Sequence, residues 1–288
     1  MKSLTKIESL VDEVIEEFQF FDLDPGGVRR THPETPTYLF AHRHEYVRTL
    51  RDVVNFAEQN SVDKILEIGA FFGLVCICLS KLGFRVCAAD IPEYMSMPEQ
   101  KQRFARYNIE IAEVRLQDYL LPFEDNRFDA VIMCEVLEHL NFNPLPLIKE
   151  INRIAATGSL FYLSLPNQAQ IRHRLQLLCG RSILSSIQGY FDQLDPAELV
   201  IANGHWREYT AIEIRQMLER MGYEIHRHYF FCKAETLKEP TLRNKLSRLM
   251  YGLFSSFKEN QTALAIKKRR PNVVFRIPKT VHPSLESL

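Results

Sequence analysis

The sequence predicts an α/β fold: a doubly wound, seven-stranded, mostly parallel sheet with helices on both faces. Three observations carry this. Short aliphatic runs alternate with helical periodicity from residue 63 onward, the first run ends in a glycine turn, and the second ends in an acid about twenty residues later. The 288 residues, 46% of them hydrophobic, suffice for a substantial core.

The elements follow in order. Residues 5–18 place Ile7, Leu10, Val11, Val14, Ile15 and Phe18 at helical spacing, with Thr5 and Glu8 set as a capping box. Residues 22–37 carry Pro25, Gly26, Gly27, Pro33 and Pro36 and read as a loop, followed by a helix over about 40–59. Residues 1–60 thus form an N-terminal helical cap. Strands are expected at 64–69, 84–89, 109–114, 128–134 and 159–165, with helices at 73–82, 97–106 and 144–155. The rhythm lapses over 167–208, an insertion of the kind that forms lids, and resumes with a helix at 211–221 and strands near 223–232 and 262–267. The main domain runs over 61–270 and a tail over 271–288.

Composition weighs against several classes. Basic and acidic side chains balance at 36 each, although residues 233–288 hold 12 basic and 4 acidic ones. A neutral whole argues against a dedicated nucleic-acid binder. Six cysteines form no C-x-x-C pair, so no disulfide framework is implied. No apolar run reaches the ~18 residues of a membrane span and no signal-peptide core is evident, so a cytoplasmic location is expected.

The segment KILEIGAFFG, residues 64–73, reads as a buried strand entering a glycine turn at Gly69 and Gly73, which brings a nucleotide-like ligand against a helix N-terminus. Asp90, ending the second strand, is placed to accept both hydroxyls of a ribose. Further on come Gln117 and Asp118 before Leu121-Pro122-Phe123, then FDAVIMCEVLEHL over residues 128–140.

Taken together these pieces resemble the class I S-adenosylmethionine-dependent methyltransferases in their small-molecule branch, and the string from Ser164-Leu165-Pro166-Asn167 through Arg172-His173-Arg174-Leu175 to Leu178-Cys179-Gly180-Arg181 resembles those of bacterial glycan and secondary-metabolite pathways. The resemblance spans about 60–232 and implies a Rossmann-like domain with S-adenosyl-L-methionine as cofactor. It implies cofactor contacts from Glu67, Gly69, Ala70, Phe71 and Gly73 at the turn and from Asp90 and Ile91 at the ribose. Gln117 or Asp118, with Asp118 favoured, meets the adenine, and Cys134 and Glu135 follow the fourth strand. The family usually has a third glycine where Phe71 stands; a bulky residue there narrows the turn or stacks on the ligand.

Glu135, Glu138 and His139 fall at i, i+3 and i+4 and share a face if the segment is helical. This pattern resembles the Glu-x-x-Glu-His of metal-dependent small-RNA 2′-O-methyltransferases, with His205 as the further histidine. The same string also lines pockets in metal-free small-molecule enzymes, and that reading, with no metal, is preferred. In the resembling enzymes a His-x-Arg-Glu-Tyr-Thr string sits at the substrate mouth, which assigns His205, Arg207 and Tyr209 to substrate binding; Thr210 is placed to cap the next helix. Two basic amphipathic stretches, 171–181 and 242–258, either cover the domain or touch a membrane or lipid-linked substrate. Lys267 to Arg270 read as a solvated strand end.

The expected reaction is methyl transfer to a small polar acceptor, foremost O-methylation of a sugar or related metabolite, with His139 and His205 as candidate bases. The alternatives are a non-catalytic methyltransferase-like binding protein and a metal-dependent RNA 2′-O-methyltransferase.

Overall fold

The computed structural model describes residues 4–17, 38–184, 186–192, 204–232 and 249–275. Seven strands, β1 (Lys64–Ile68), β2 (Arg85–Asp90), β3 (Glu110–Glu113), β4 (Phe128–Cys134), β5 (Ala155–Pro166), β6 (Tyr223–Phe231) and β7 (Asn260–Lys267), form one sheet in the order β3-β2-β1-β4-β5-β7-β6. β1 to β5 pair in parallel, and β7 runs antiparallel between β5 and β6. The chain winds outward from β1 to β3, then returns to β4 on the other flank of β1. The carboxyl ends of β1 and β4 therefore face a crevice at the switch point, where such sheets bind ligands.

Alternation along the strands builds two cores. Ile65, Ala88, Ile132 and Tyr162 point to one face, and Leu66, Cys87, Val131 and Phe161 to the other. Helices α1 (Leu4–Glu17), α2 (Arg43–Gln59) and α3 (Leu74–Lys81) cover the first face. Helices α5 (Leu145–Ile154) and α7 (Ala211–Arg220) cover the second, while α4 (Pro98–Arg106) sends Phe104 into the first core. Ile7, Val11 and Val14 are buried as their spacing predicts, and α1 is tied to its neighbours by Asp12 with Arg43 and by Glu13 with Lys81.

Local chemistry accounts for most boundaries. Thr210 accepts from Glu213 N while the Glu213 carboxylate accepts from Thr210 N, a complete capping box that starts α7 as predicted. Thr5 and Glu8 form no such box, because α1 already includes Thr5 and begins at Leu4. Lys267 is a second correction. Far from solvated, it is buried at the end of β7, donating from Nζ to Ala155 O at 2.7 Å and Asn126 Oδ1 at 3.0 Å, so two acceptors replace the water its ammonium would lose.

The insertion contains α6 (Ile171–Leu178) and a short helix, Ile187–Asp192; its ends meet in a β-bridge between Asn167 and Tyr209, so it leaves and re-enters the domain at one point. Gln261 Nε2 donates to Tyr209 O at 2.6 Å and anchors that point to β7. The loop expected at 22–37 lies outside the described residues, as do 193–203 of the insertion and 242–248 of the second basic stretch. No helix among the described residues is long and apolar enough to cross a membrane.

Candidate functional site

A cavity of about 580 Å³ opens at the carboxyl ends of β1, β2 and β4. Its floor is the turn after β1, where Gly69 and Gly73 take φ of 76° and 80°. A Cβ on Gly69 would lie 2.2 Å from Val136 Cγ2, and one on Gly73 would lie 2.1 Å from Phe104 Cε1. Both glycines are thus required twice, by the left-handed backbone and by close approach of neighbouring elements.

Phe71 completes this turn in an unexpected way. Its φ of 49° is the left-handed conformation a glycine would favour, which explains the glycine that the resembling family carries there. Its N–H donates to Asp90 Oδ2 at 2.7 Å, and its ring packs edge-on against Phe72 and Tyr94, with centroids 4.1 and 5.2 Å away. The ring lines the cavity wall while the backbone keeps the glycine geometry.

Asp90 accepts a second amide, Ile91 N, on Oδ1 at 2.7 Å. These two bonds aim the carboxylate and leave each oxygen capacity for one more donor. Burial raises its pKa to about 6 despite the two amides. Glu67 is buried at the base of the turn and accepts from Cys76 Sγ, in the first turn of α3, at 2.8 Å. Burial, with the charge of Asp90 adding, pushes its carboxyl up to about 8. Glu67 is thus a carboxyl that ties β1 to the start of α3.

The cavity wall takes in Ala70, Ile91, Gln117, Cys134 and Glu135 beside the turn and Asp90. Asp118 is the exception. It ends a 3₁₀ turn, Leu116–Asp118, exposed and outside the wall, whereas its likewise exposed neighbour Gln117 is part of the wall. The sequence reading also missed the helical cap's share of the wall: His42, Glu45, Tyr46 and Thr49 from α2 and the residue before it close the cavity from above. Amphipathic spacing marks which face of α2 is buried but not that its first turns overhang the sheet edge.

The segment after β4 is the larger departure. Glu135 has φ of 51°, and Leu137–His139 form a 3₁₀ turn, so no α-helix runs through residues 135–139 and the i, i+3, i+4 face does not exist. Leu137 is buried in the second core, which holds the turn down. The chain instead brings in the predicted downstream residues. Trp206 N and Arg207 N donate to Glu138 O at 2.8 and 3.3 Å, and His139 Nδ1 meets Gly204 O at 3.1 Å. The rings of His139 and His205 stand edge to face with centroids 5.0 Å apart. Burial, together with the neighbouring His205, lowers the pKa of His139 to about 4, so its imidazole is neutral at pH 7. His205 Nδ1 meets Glu208 Oε1 at 3.0 Å.

His139 and Trp206 line the main cavity. Arg207 and Tyr209 do not; they line a second cavity of about 780 Å³ with Glu213, Met217 and Arg220. Leu140, Asn141, Phe142 and Trp206 belong to both walls, so the two spaces adjoin across Trp206. Arg207 pairs with Glu213 at 2.8 Å.

A family model described as a methyltransferase domain matches residues 40–228, from just before α2 into β6. The chain is 25% identical over 141 residues to a ubiquinone biosynthesis O-methyltransferase of Xanthomonas campestris, covering 47% of this chain and 58% of that protein. It is 26% identical over 161 residues to a probable S-adenosylmethionine-dependent methyltransferase of Mycolicibacterium smegmatis, 56% of this chain and 52% of that protein. It therefore spans little more than half the length of these curated relatives. Among solved structures, a SAM-dependent methyltransferase of Methanosarcina mazei superposes with a TM-score of 0.52 at 20% identity, over 75% of this chain and 97% of its own. One from Archaeoglobus fulgidus gives 0.50 at 15%, over 80% and 99%. The seven-stranded order, the glycine turn with Asp90 across from it, and the span of the family match lead to one assignment: this chain belongs to the methyltransferase-domain family.

Proposed function

We propose that the protein transfers a methyl group from S-adenosyl-L-methionine to a hydroxyl of a small polar acceptor, a sugar or related metabolite. The observation that carries this reading is the joining, in one cavity, of the Gly69–Gly73 turn and Asp90 with His139, whose ring packs edge to face against that of His205. The donor set fits the cofactor. Asp90 has acceptor capacity for two ribose hydroxyls, Gln117 offers an amide for the adenine, and Glu67 is a buried carboxyl near which a cationic ligand favours ionisation.

The cofactor supplies an electrophilic methyl on a sulfonium. What the chain contributes is alignment and exclusion of water, effects worth up to ~7–11 kcal/mol in such displacements. The Gly69–Gly73 turn and Phe71 would fix the donor end. In this reading His139, on the wall of the main cavity, would take the proton of an acceptor hydroxyl with His205 packed against its ring, and the cavity beyond Trp206 would hold the remainder of the acceptor. The sugar class rests on the resemblance read from residues 164–181; the name of one curated relative, a ubiquinone biosynthesis O-methyltransferase, favours an acceptor from quinone biosynthesis as the second class.

Calorimetric titration with S-adenosylhomocysteine, followed by methyl-transfer assays over a panel of sugars and phenols, tests the reading. Micromolar binding lost in Asp90→Ala, with turnover on one panel member, is expected. Absence of binding at millimolar ligand would overturn it.

A further inference from the structure

We propose that the insertion helix α6 and the adjoining stretch at 249–257 form a surface that seats the protein on a bilayer rich in anionic lipid. This seating is independent of the methyl-transfer reading. Nine of the fourteen large hydrophobic side chains exposed among the described residues lie within 171–191 and 249–257. Apolar residues scattered singly over a surface are ordinary, whereas such crowding on two short stretches marks an interaction surface.

Helix α6 is turned inside out. A helix that covers a domain points its apolar stripe at the core. Here the buried residue is His173, whose Nδ1 lies 3.4 Å from Glu208 Oε2, while Leu175, Leu177 and Leu178 face solvent, Leu178 at 82% exposure. Covering the domain, one of the two roles expected for residues 171–181, is therefore not what these leucines do.

The second stretch adjoins the first. Asn167 Nδ2 donates to Ser256 O at 2.7 Å and to Lys258 O at 2.8 Å, and the Arg174 guanidinium lies over the Phe257 ring, 4.9 Å from its centroid. Phe254 packs on Phe257 with ring centroids 4.9 Å apart, and Leu249, Leu253 and Phe254 are exposed.

Charge identifies the occupant. No aspartate or glutamate occurs in residues 167–191 or 242–258, in a chain where 36 of 288 residues are acidic. The same two segments carry seven arginines and lysines, among them Arg172, Arg174 and Arg181, all exposed on or just beyond α6. Leucines and phenylalanines beside cations, with no acids among them, match the boundary between acyl chains and negative headgroups. A nucleic acid would use the cations and leave the leucines in water. A second copy of the chain, packed face to face, would set the same cations against each other.

The seat also flanks the site. The insertion leaves and re-enters the domain at the Asn167–Tyr209 bridge, and Glu208, which His173 meets, lies two residues beyond Trp206 on the shared cavity wall.

The test uses the full chain purified without a histidine tag. It is floated with vesicles of phosphatidylcholine containing about one-third phosphatidylglycerol and, in parallel, with vesicles of phosphatidylcholine alone. Flotation with the anionic vesicles is expected, with the partition coefficient at least about fivefold lower on neutral vesicles or in about 1 M salt, where the Debye length falls to about 3 Å. Leu177→Ser combined with Leu178→Ser, and separately Arg172→Gln combined with Arg181→Gln, should each lower partitioning about tenfold or more, since one arginine near such a surface contributes about fivefold and an inserted leucine more. All four side chains are exposed, so thermal melts of both variants should coincide with that of the unmodified protein. Absence of flotation, equal flotation with the two vesicle types, or flotation that both variants leave intact overturns the seat. So does sedimentation showing a dimer that the leucine variant dissociates, which would assign the face to a second copy.

Discussion

The two halves of the cavity are built by different means. The half formed by β1, β2 and their turns is made of residues close in sequence, held by backbone: two glycines, two amides on one carboxylate, and a carboxyl on the first turn of α3. The half around His139 and His205 joins segments 65 residues apart through side chains and single backbone bonds. The first half is built by local turns at the strand ends, whereas the second depends on how a distant segment packs against the turn after β4.

That contrast can be broken most strongly at the floor. Gly73→Ala puts a methyl against the Phe104 ring in a left-handed backbone, so we expect a stability loss of about 3 kcal/mol with loss of cofactor binding, read by denaturant melts and calorimetry. The next effect depends on pH. Asp90 has its pKa raised to about 6 by burial, and a ribose hydroxyl pair favours the ionised form. Affinity for S-adenosylhomocysteine should therefore hold above pH 7 and fall as pH drops through 6, roughly tenfold by pH 5, with Asp90→Asn weak and flat across that range. A steep dependence in Asp90→Asn would assign the titration elsewhere.

The acceptor half should respond separately. Trp206 is 45% exposed and shared by the two cavities, so Trp206→Ala should raise the acceptor's KM about fivefold to tenfold and leave S-adenosylhomocysteine affinity unchanged. A fall in both would mean that the halves are not independent. The smallest effect lies beneath: Thr210→Ala removes one arm of the capping box and should cost about 1 kcal/mol of stability in thermal melts, with no change in ligand affinity.

The same division explains what the sequence reveals. The strands, the glycine turn, Asp90 and the Thr210 capping box are readable because their chemistry is local: a left-handed turn, a strand end, a helix start. Glu138, His139 and His205 are readable as a pattern but not in their geometry, since the helical face expected for Glu135, Glu138 and His139 gives way to a 3₁₀ turn pinned by Leu137. Asp118 and Gln117 are neighbours, and only the turn that carries them decides which one meets the cavity. The overhang of α2 and the burial of Lys267 come from packing between distant elements, which no spacing rule encodes.

The most direct test of the account is calorimetric titration of S-adenosylhomocysteine into the unmodified protein and into Asp90→Ala, side by side. Micromolar affinity falling about a hundredfold in the variant is the predicted result, since charge-assisted bonds to two ribose hydroxyls are worth roughly 3 kcal/mol together. Equal affinity in the two proteins would contradict the placement of the cofactor across Asp90 and the reading built on it.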